Sequence, residues 1–150
     1  MSRSFVVRRL SLEETKPVRL DVLRRGTPSR DANYDGDDEP TSVHIGAEVA
    51  ENVVATSTWL VVPWQNDESE VAVQLRGMAV SDQMQNTGVG RALIQAGIEH
   101  ARSLGARYIW AKARDSAVYF YERCGFVVVG DGFIEPASGM PHHLVVLELR

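Results

Sequence analysis

The chain has 150 residues, a formal net charge of −4 and a single cysteine, Cys124. That length suits one domain with a core that needs no staple. The acidic balance argues against a nucleic-acid binder, which carries a basic excess or stripe, and one cysteine allows no internal disulfide and fits a reducing cytoplasm.

No apolar run approaches the roughly 18 residues of a membrane span. Met1 to Leu10 is too charged and too briefly apolar for a signal peptide. Phe5-Val6-Val7 reads as a first short strand. Ser11 followed by Glu14 is a capping-box signature, so a helix is expected to about Arg25, stopping before Gly26. Pro17 lies inside it and marks either the first turn of a later start or a kink. Gly26 to Ser42 is a polar loop. Val43 to Val49 and Val53 to Val62 read as a hairpin joined through Ala50-Glu51-Asn52. Pro63 to Glu70 is a turn. Val71 to Val80 is β-branched and apolar, a central strand. From Val89 to Leu104 the pattern is helical: Arg91, Gln95, Glu99 and Arg102 share one arc, with Val89, Leu93, Ala96 and Leu104 opposite. Gly105 ends it. Arg107 to Ala111 is a strand, Ser116 to Arg123 a helix closed by Gly125. Phe126 to Val129 and Leu144 to Leu149 are final strands, and His142 and His143 would begin the last, so only one of them can face a cleft. Strands alternating with helices after an early hairpin imply an α/β (α+β) fold. It would be one domain, 1–150, a mixed sheet with helices on both faces.

The segment Gln85-Asn86-Thr87-Gly88-Val89-Gly90-Arg91 joins a strand to a helix and puts two glycines where the helix begins. Helix N-termini carry unpaired N–H groups and the positive end of the macrodipole. Glycines let an anion approach that backbone. A P-loop needs Gly-Lys-Ser/Thr, and Arg91-Ala92 follow Gly90 here. A dinucleotide fingerprint needs a small third residue and a downstream acid, and Leu93 and Ile109-Trp110-Ala111 supply neither. The pattern Gln-x-x-Gly-x-Gly is filled by Gln85, Gly88 and Gly90. Alone it fits an ordinary tight turn equally well.

Downstream lies Ala117-Val118-Tyr119-Phe120-Tyr121-Glu122-Arg123-Cys124-Gly125-Phe126. This pair of segments, at this separation, resembles the GNAT superfamily of acyl-CoA-dependent N-acyltransferases. Leu75 to Val80 ahead of the loop and Gly139-Met140-Pro141-His142-His143-Leu144 near the end resemble a branch of small, single-domain members. The resemblance covers nearly the whole chain and is strongest from Gln74 to Phe126. Its motifs are specific to fold and cofactor, not to the acceptor. It implies a mostly antiparallel central sheet and acetyl-CoA or coenzyme A as cofactor. It also implies a small-molecule or peptide amine acceptor, no nucleic-acid or membrane partner, a cytoplasmic setting, and room for a homodimer.

Carried over residue by residue, the resemblance has Met78, Ala79 and Val80 offer backbone groups to the pantetheine amides. Gln85, Asn86, Thr87, Gly88, Val89, Gly90 and Arg91 would surround the pyrophosphate. Arg91 would add charge there, or be a solvated helix residue. Tyr121 is the catalytic candidate, because a phenol stays protonated at neutral pH and can protonate a departing thiolate. The competing reading is a core tyrosine. Tyr119 and Phe120 read as packing residues. Where several members carry a glutamate, four residues before Met78, this chain has Gln74, with Arg76 on the same strand face. Gln74, Arg76, His44 and His143 are the acceptor-side candidates. His44, Glu48, Glu135, His142 and His143 are the candidate bases, with water relayed by Gln74 as an alternative. Arg114 stands where many members have asparagine, with Lys112 two residues earlier. Ser116 could substitute, or the basic pair could meet the adenosine phosphates.

Asp31 to Ser42 imitates a calcium loop in Asp31, Asn33, Asp35 and Gly36. Ser42 replaces its bidentate glutamate, and Asp38 and Pro40 suit it poorly. No metal is expected, and the carboxylates read as a solvated loop or as a means of steering a cationic amine. Two functions compete: an enzyme acetylating an amine, and an acyl-CoA sensor or scaffold without turnover. Tyr121 and the glycine loop favour the first; Gln74, lacking a carboxylate, favours the second.

Overall fold

The computed structural model describes residues 4–27, 29 and 31–149. The elements are β1 (Val6–Leu10), α1 (Leu12–Val18), β2 (Val43–Val49), β3 (Asn52–Val61), β4 (Ala72–Val80), α2 (Val89–Ser103), β5 (Tyr108–Arg114), α3 (Val118–Arg123), β6 (Val127–Glu135) and β7 (Met140–Glu148). The strands form a seven-stranded sheet in the order β1-β2-β3-β4-β5-β7-β6. β4 and β5 run parallel, and β1–β2, β2–β3, β5–β7 and β6–β7 are antiparallel. This is the mixed, mostly antiparallel sheet expected. Two compact units divide the chain. One comprises the residues up to Leu60 with Arg76–Gly97, the other Val61–Leu75 with the residues from Ile98 onward.

In the first unit, Ser11 caps α1. Its hydroxyl accepts from the Glu14 N–H, and the Glu14 carboxylate accepts from the Ser11 N–H, closing a capping box. Hydrogen bonds from Arg8 and from the Ser11 N–H hold the Glu14 carboxyl down to about 2. Pro17 lies inside α1, where it offers no N–H to the Glu13 carbonyl. Two residues later the helix widens into a π-turn, Arg19–Leu23, so the helical stretch stops close to the expected point. The β2–β3 hairpin turns on Ala50 and Glu51, both at positive φ (50° and 71°). Such a two-residue turn matches strand twist but usually employs Asn and Gly. Trp59 is fully buried; its indole N–H donates to the Ser57 hydroxyl, which donates to the Ile45 carbonyl. Gly97 leaves the space that the Trp59 ring fills, since a methyl there would overlap the ring. Val89, Leu93 and Ile94 are the buried stripe of this part of α2.

In the second unit, β4 pairs with β5 from Ala72↔Tyr108 to Leu75↔Ala111. β5 pairs with β7 along its whole length. The segment after β3 is pinned by Trp110, whose indole N–H donates to the Val62 carbonyl and whose ring lies 5.7 Å from Trp64. The Tyr108 hydroxyl donates to Asp67.

Three expectations fail here. β6 and β7 are longer than read, because Gly130-Asp131-Gly132 is a bulge and not an end. The register shifts between Val129 and Phe133, with Gly130 at φ +77°, and pairing then resumes. His142 and His143 therefore lie inside β7. Leu104 is exposed; the stripe continues instead through Ile98 and Ala101. The expected helix from Ser116 starts as a 3-10 turn, Asp115–Ala117, which leaves α3 six residues long.

Candidate functional site

Ahead of α2, a 3-10 turn at Asp82–Met84 buries Met84 completely and turns the chain outward. Gln85 is extended, and its side-chain amide reaches back to donate to the Val80 carbonyl at 2.9 Å. The Thr87 hydroxyl donates to the Met84 carbonyl at 2.6 Å. Asn86 (φ +61°) and Gly88 (φ +88°) are both left-handed. Backbone reversals of this kind turn successive N–H groups toward one side. Helical bonding begins with the Ala92 N–H on the Gly88 carbonyl. The N–H groups of Val89, Gly90 and Arg91 precede that first bond at the head of a 15-residue helix. Val89 and Gly90 are buried, while residues 85–88 and Arg91 are exposed. The set suits a phosphate or pyrophosphate: donors without carboxylates, and no Cβ at two of the positions. Gln85 acts on the loop's shape, and its bond takes up one lone pair of Val80.

Gly77 interrupts β4 with φ +60°, just before Met78, Ala79 and Val80. Ala79 is buried, and Met78 and Val80 are half-buried. Arg76 donates to the Asp35 carbonyl at 2.6 Å, so it fastens the acidic loop. Gln74 is 1% exposed, and its Oε1 has no hydrogen-bond partner.

His44, a candidate base, is buried with both ring nitrogens hydrogen-bonded. It belongs to a buried network that the sequence did not suggest. Arg19 is wholly buried and grips Asp37 with two bonds, Nη1 to Oδ2 at 2.7 Å and Nη2 to Oδ1 at 2.9 Å. Nη2 also donates to Thr58 Oγ1 at 2.7 Å, and the guanidinium lies over the Tyr34 ring. His44 Nδ1 is 2.8 Å from Thr58 Oγ1, and Nε2 is 3.2 Å from the Asp37 carbonyl. A carbonyl only accepts, so Nε2 holds the proton and Nδ1 accepts from Thr58. Both nitrogens are spent. Burial, with Arg19 nearby, lowers the His44 pKa below its ordinary value. Burial alone would raise that of Asp37, but the bonds from Arg19 and the Tyr34 N–H outweigh it and lower it.

The acidic loop is thereby corrected in part. Asp37 points inward, and Ser42 donates to the Gly36 carbonyl. No group of three or more His, Cys, Asp or Glu side chains is gathered for a metal among the described residues. Of the remaining bases, Glu48 pairs with Arg8 at 3.1 Å, and Glu135 accepts from the Ala137 N–H.

In the second unit, Tyr121 is buried, its ring edge-on to Phe120 and Phe126 at 5.4 and 5.3 Å. Burial pushes its phenol well above the ordinary tyrosine range, so it keeps its proton. Ser116 and Lys112 are exposed and Arg114 is half-buried. His143 Nδ1 lies 2.6 Å from Asp115 Oδ1, a pairing with no signal in the sequence. His142 is buried and stacked on Phe133.

Residues 10–126 match the model of the acetyltransferase (GNAT) family. The chain belongs to that family. GNAT proteins generally use acetyl-CoA and act on amine acceptors. This GNAT chain is 24% identical over 140 residues to the uncharacterized N-acetyltransferase YitI of Bacillus subtilis, covering 93% of each. FeeM, an N-acyl amino acid synthase from uncultured soil microbes, shares the fold with a TM-score of 0.82 at 12% identity, over 97% of this chain and 90% of that one. A putative N-acetyltransferase from Lactobacillus plantarum matches with a TM-score of 0.79 at 18% identity, over 99% and 100%. No helix among the described residues is long and apolar enough to cross a membrane.

Proposed function

We propose that this chain moves an acetyl group from acetyl-CoA to a primary amine by direct attack. The observation that carries this reading is the Gln85–Gly90 turn. It combines left-handed Asn86 and Gly88 with a long helix whose first N–H groups precede the helical bonding. Residues 85–91 are proposed to hold the pyrophosphate and the backbone of Met78–Val80 the pantetheine, with Ser116 a further polar contact. Bound acetyl-CoA supplies an activated thioester, whose leaving group is a thiolate. Tyr121 is proposed to give its phenolic proton to that sulfur, because a phenol is protonated at neutral pH and can donate to a thiolate. The family supports an amine acceptor; a small molecule or a peptide is the proposed form.

The test is thiol release from acetyl-CoA across a panel of amines, amino acids and peptides. Release that depends on the amine is expected. Coenzyme A binding without release for any amine would replace the enzyme with an acyl-CoA sensor or scaffold.

A further inference from the structure

Cations elsewhere in the chain meet carboxylates. Arg8 pairs with Glu14 and Glu48, Lys16 with Glu13, Arg19 with Asp37, and Arg107 with Glu70 and Glu148. Lys112 does not. It stands exposed on β5, and among the described residues it makes no hydrogen bond or ion pair. Two ordinary reasons for a strand lysine fail here. Lysine on an edge strand discourages pairing with other chains, but β5 lies inside the sheet, between β4 and β7. Lysine can also answer a carboxylate across the ladder, but its partner on β7 is Leu144. In a chain of net charge −4, an unmatched lysine in mid-sheet calls for another explanation.

Its face of the sheet supplies one. Directly paired residues share a face, as do residues two apart on a strand. Gln74, Trp110, Lys112 and Arg114 therefore lie on one face, with Leu144 and His142 of β7 beside them. None of these six carries a carboxylate. At the other end of β5 the carboxylates are taken, Glu148 by Arg107 and Asp67 by the Tyr108 hydroxyl. The described β4–β5 rungs run from Ala72↔Tyr108 to Leu75↔Ala111, and Lys112 follows the last of them. In open sheets, ligands are held beyond the carboxyl ends of parallel strands.

The same face holds a second unmatched group. Gln74 is 1% exposed, yet its Oε1 has no hydrogen-bond partner. A buried amide oxygen without a donor is disfavoured, and an amine N–H arriving there would supply one. Gln74 pairs with Trp110, and Lys112 is two residues further on, about 7 Å along the strand. One molecule with an N–H donor and an anionic group answers both.

We propose that Lys112 binds an anionic group of the acceptor, so that the acceptor is an amine that also carries a carboxylate or a phosphate; the inference rests on the acetyl-transfer reading. Lysine suits either anion, because its ammonium is a compact charge with three donors and demands no planar partner. Arg114, on the same face, adds to the field that draws an anion in. The amine end lies toward Gln74. Lys112 makes and breaks no bond; it selects which amines are held.

The experiment measures thiol release from acetyl-CoA with amines matched in skeleton, one member anionic and one neutral. An amino acid is set beside its carboxamide, and a phosphorylated amino alcohol beside the parent alcohol. Wild type should favour the anionic member of at least one pair. Lys112→Gln should lower kcat/KM for that member by about 10–100-fold, the worth of a hydrogen bond to a charged group. The fall should come mainly through KM and be much smaller for the neutral member. Lys112→Arg should keep most of the preference, and Lys112→Glu should reverse it. A loosened strand would lower both members alike, so their ratio reads the contact and not the fold. The pair with the larger fall names the anion. Equal use of both members by wild type overturns the proposal, as does an equal fall for both in Lys112→Gln. Weaker calorimetric binding of coenzyme A by Lys112→Gln, with the ratio unchanged, overturns it too and gives the lysine to the coenzyme phosphates. Thiol release with neutral amines alone removes the anion site and leaves acetyl transfer standing. No release with any amine overturns acetyl transfer itself, and the anion site with it.

Discussion

Tyr121 and Arg19 are both buried polar side chains, yet they call for opposite experiments. Tyr121 presents a ring that packs and a hydroxyl that reacts. Tyr121→Phe keeps the packing on Phe120 and Phe126, so the fold should survive. If the hydroxyl protonates the thiolate, its help falls mainly in the transition state. Turnover should then drop by about 10²–10³-fold, with calorimetric affinity for acetyl-CoA nearly unchanged; a drop of less than about twofold would make it a core residue. Arg19 is expected to act on stability alone. Replacing it with Met leaves Asp37 charged and buried beside Thr58. Breaking a buried pair this way costs about 3–5 kcal/mol. Urea unfolding of Arg19→Met checks this, and a loss under about 1 kcal/mol would show that the pair is solvated.

Helix α2 does two things along its length. Its first turn presents N–H groups, and further on it presents Gly97 to Trp59. In an open helix, Gly→Ala gains about 1 kcal/mol. At Gly97 the added methyl would meet a fully buried indole with nowhere to move, and overpacking of that kind costs about 1–3 kcal/mol. The overlap should therefore set the sign. Gly97→Ala is expected to lower the melting temperature, and a rise would mean that α2 does not lie against Trp59. At the other end, Gly90→Val would put a branched side chain among the donors proposed for the pyrophosphate. Coenzyme A should raise the melting temperature of wild type, since it binds only the folded state. That rise should largely vanish in Gly90→Val at matched ligand, and equal shifts would move the phosphate elsewhere.

For the whole molecule, acid should act in two steps, and the direction of each follows from linkage. His44 has a folded pKa below its ordinary value, because burial opposes the charge. The unfolded chain therefore takes up a proton near pH 6.5 that the folded chain refuses. This contribution is full above that pH and is lost as pH falls through it toward the lower folded value. Asp37 also has a lowered folded pKa; burial alone would raise it, but the Arg19 and Tyr34 bonds prevail. Its contribution is full above the ordinary carboxylate value near 4 and is lost as pH falls below. The melting temperature should decline first below about pH 6.5 and again below about pH 4. In His44→Gln the first decline should flatten. An unaltered curve would assign that decline to other groups.

Local chemistry was enough for much of this protein. The capping box at Ser11 and Glu14, the apolar stripe of α2 and the Gln85–Gly90 turn each depend on residues within a turn or two of one another. The sequence could therefore show them. The paired motifs around Gly88 and Tyr121 carried the family. The bulge at Gly130 looks like a strand end in the sequence, because two glycines and an aspartate break the alternation that marks a strand; only pairing with β7 carries the strand past them. The hydrogen-bond partners of the histidines were not legible. Arg19 reaches Asp37 across 18 residues and Thr58 across 39. The His143–Asp115 pair spans 28 residues. Which ring nitrogen holds a proton depends on the acceptor that packing brings to the other. That acceptor is the Asp37 carbonyl for His44 and the Met140 carbonyl for His142. The sequence lists the side chains that can exchange protons. The tertiary structure decides which of them keep a free lone pair, because hydrogen bonds between distant segments exist only after those segments have packed.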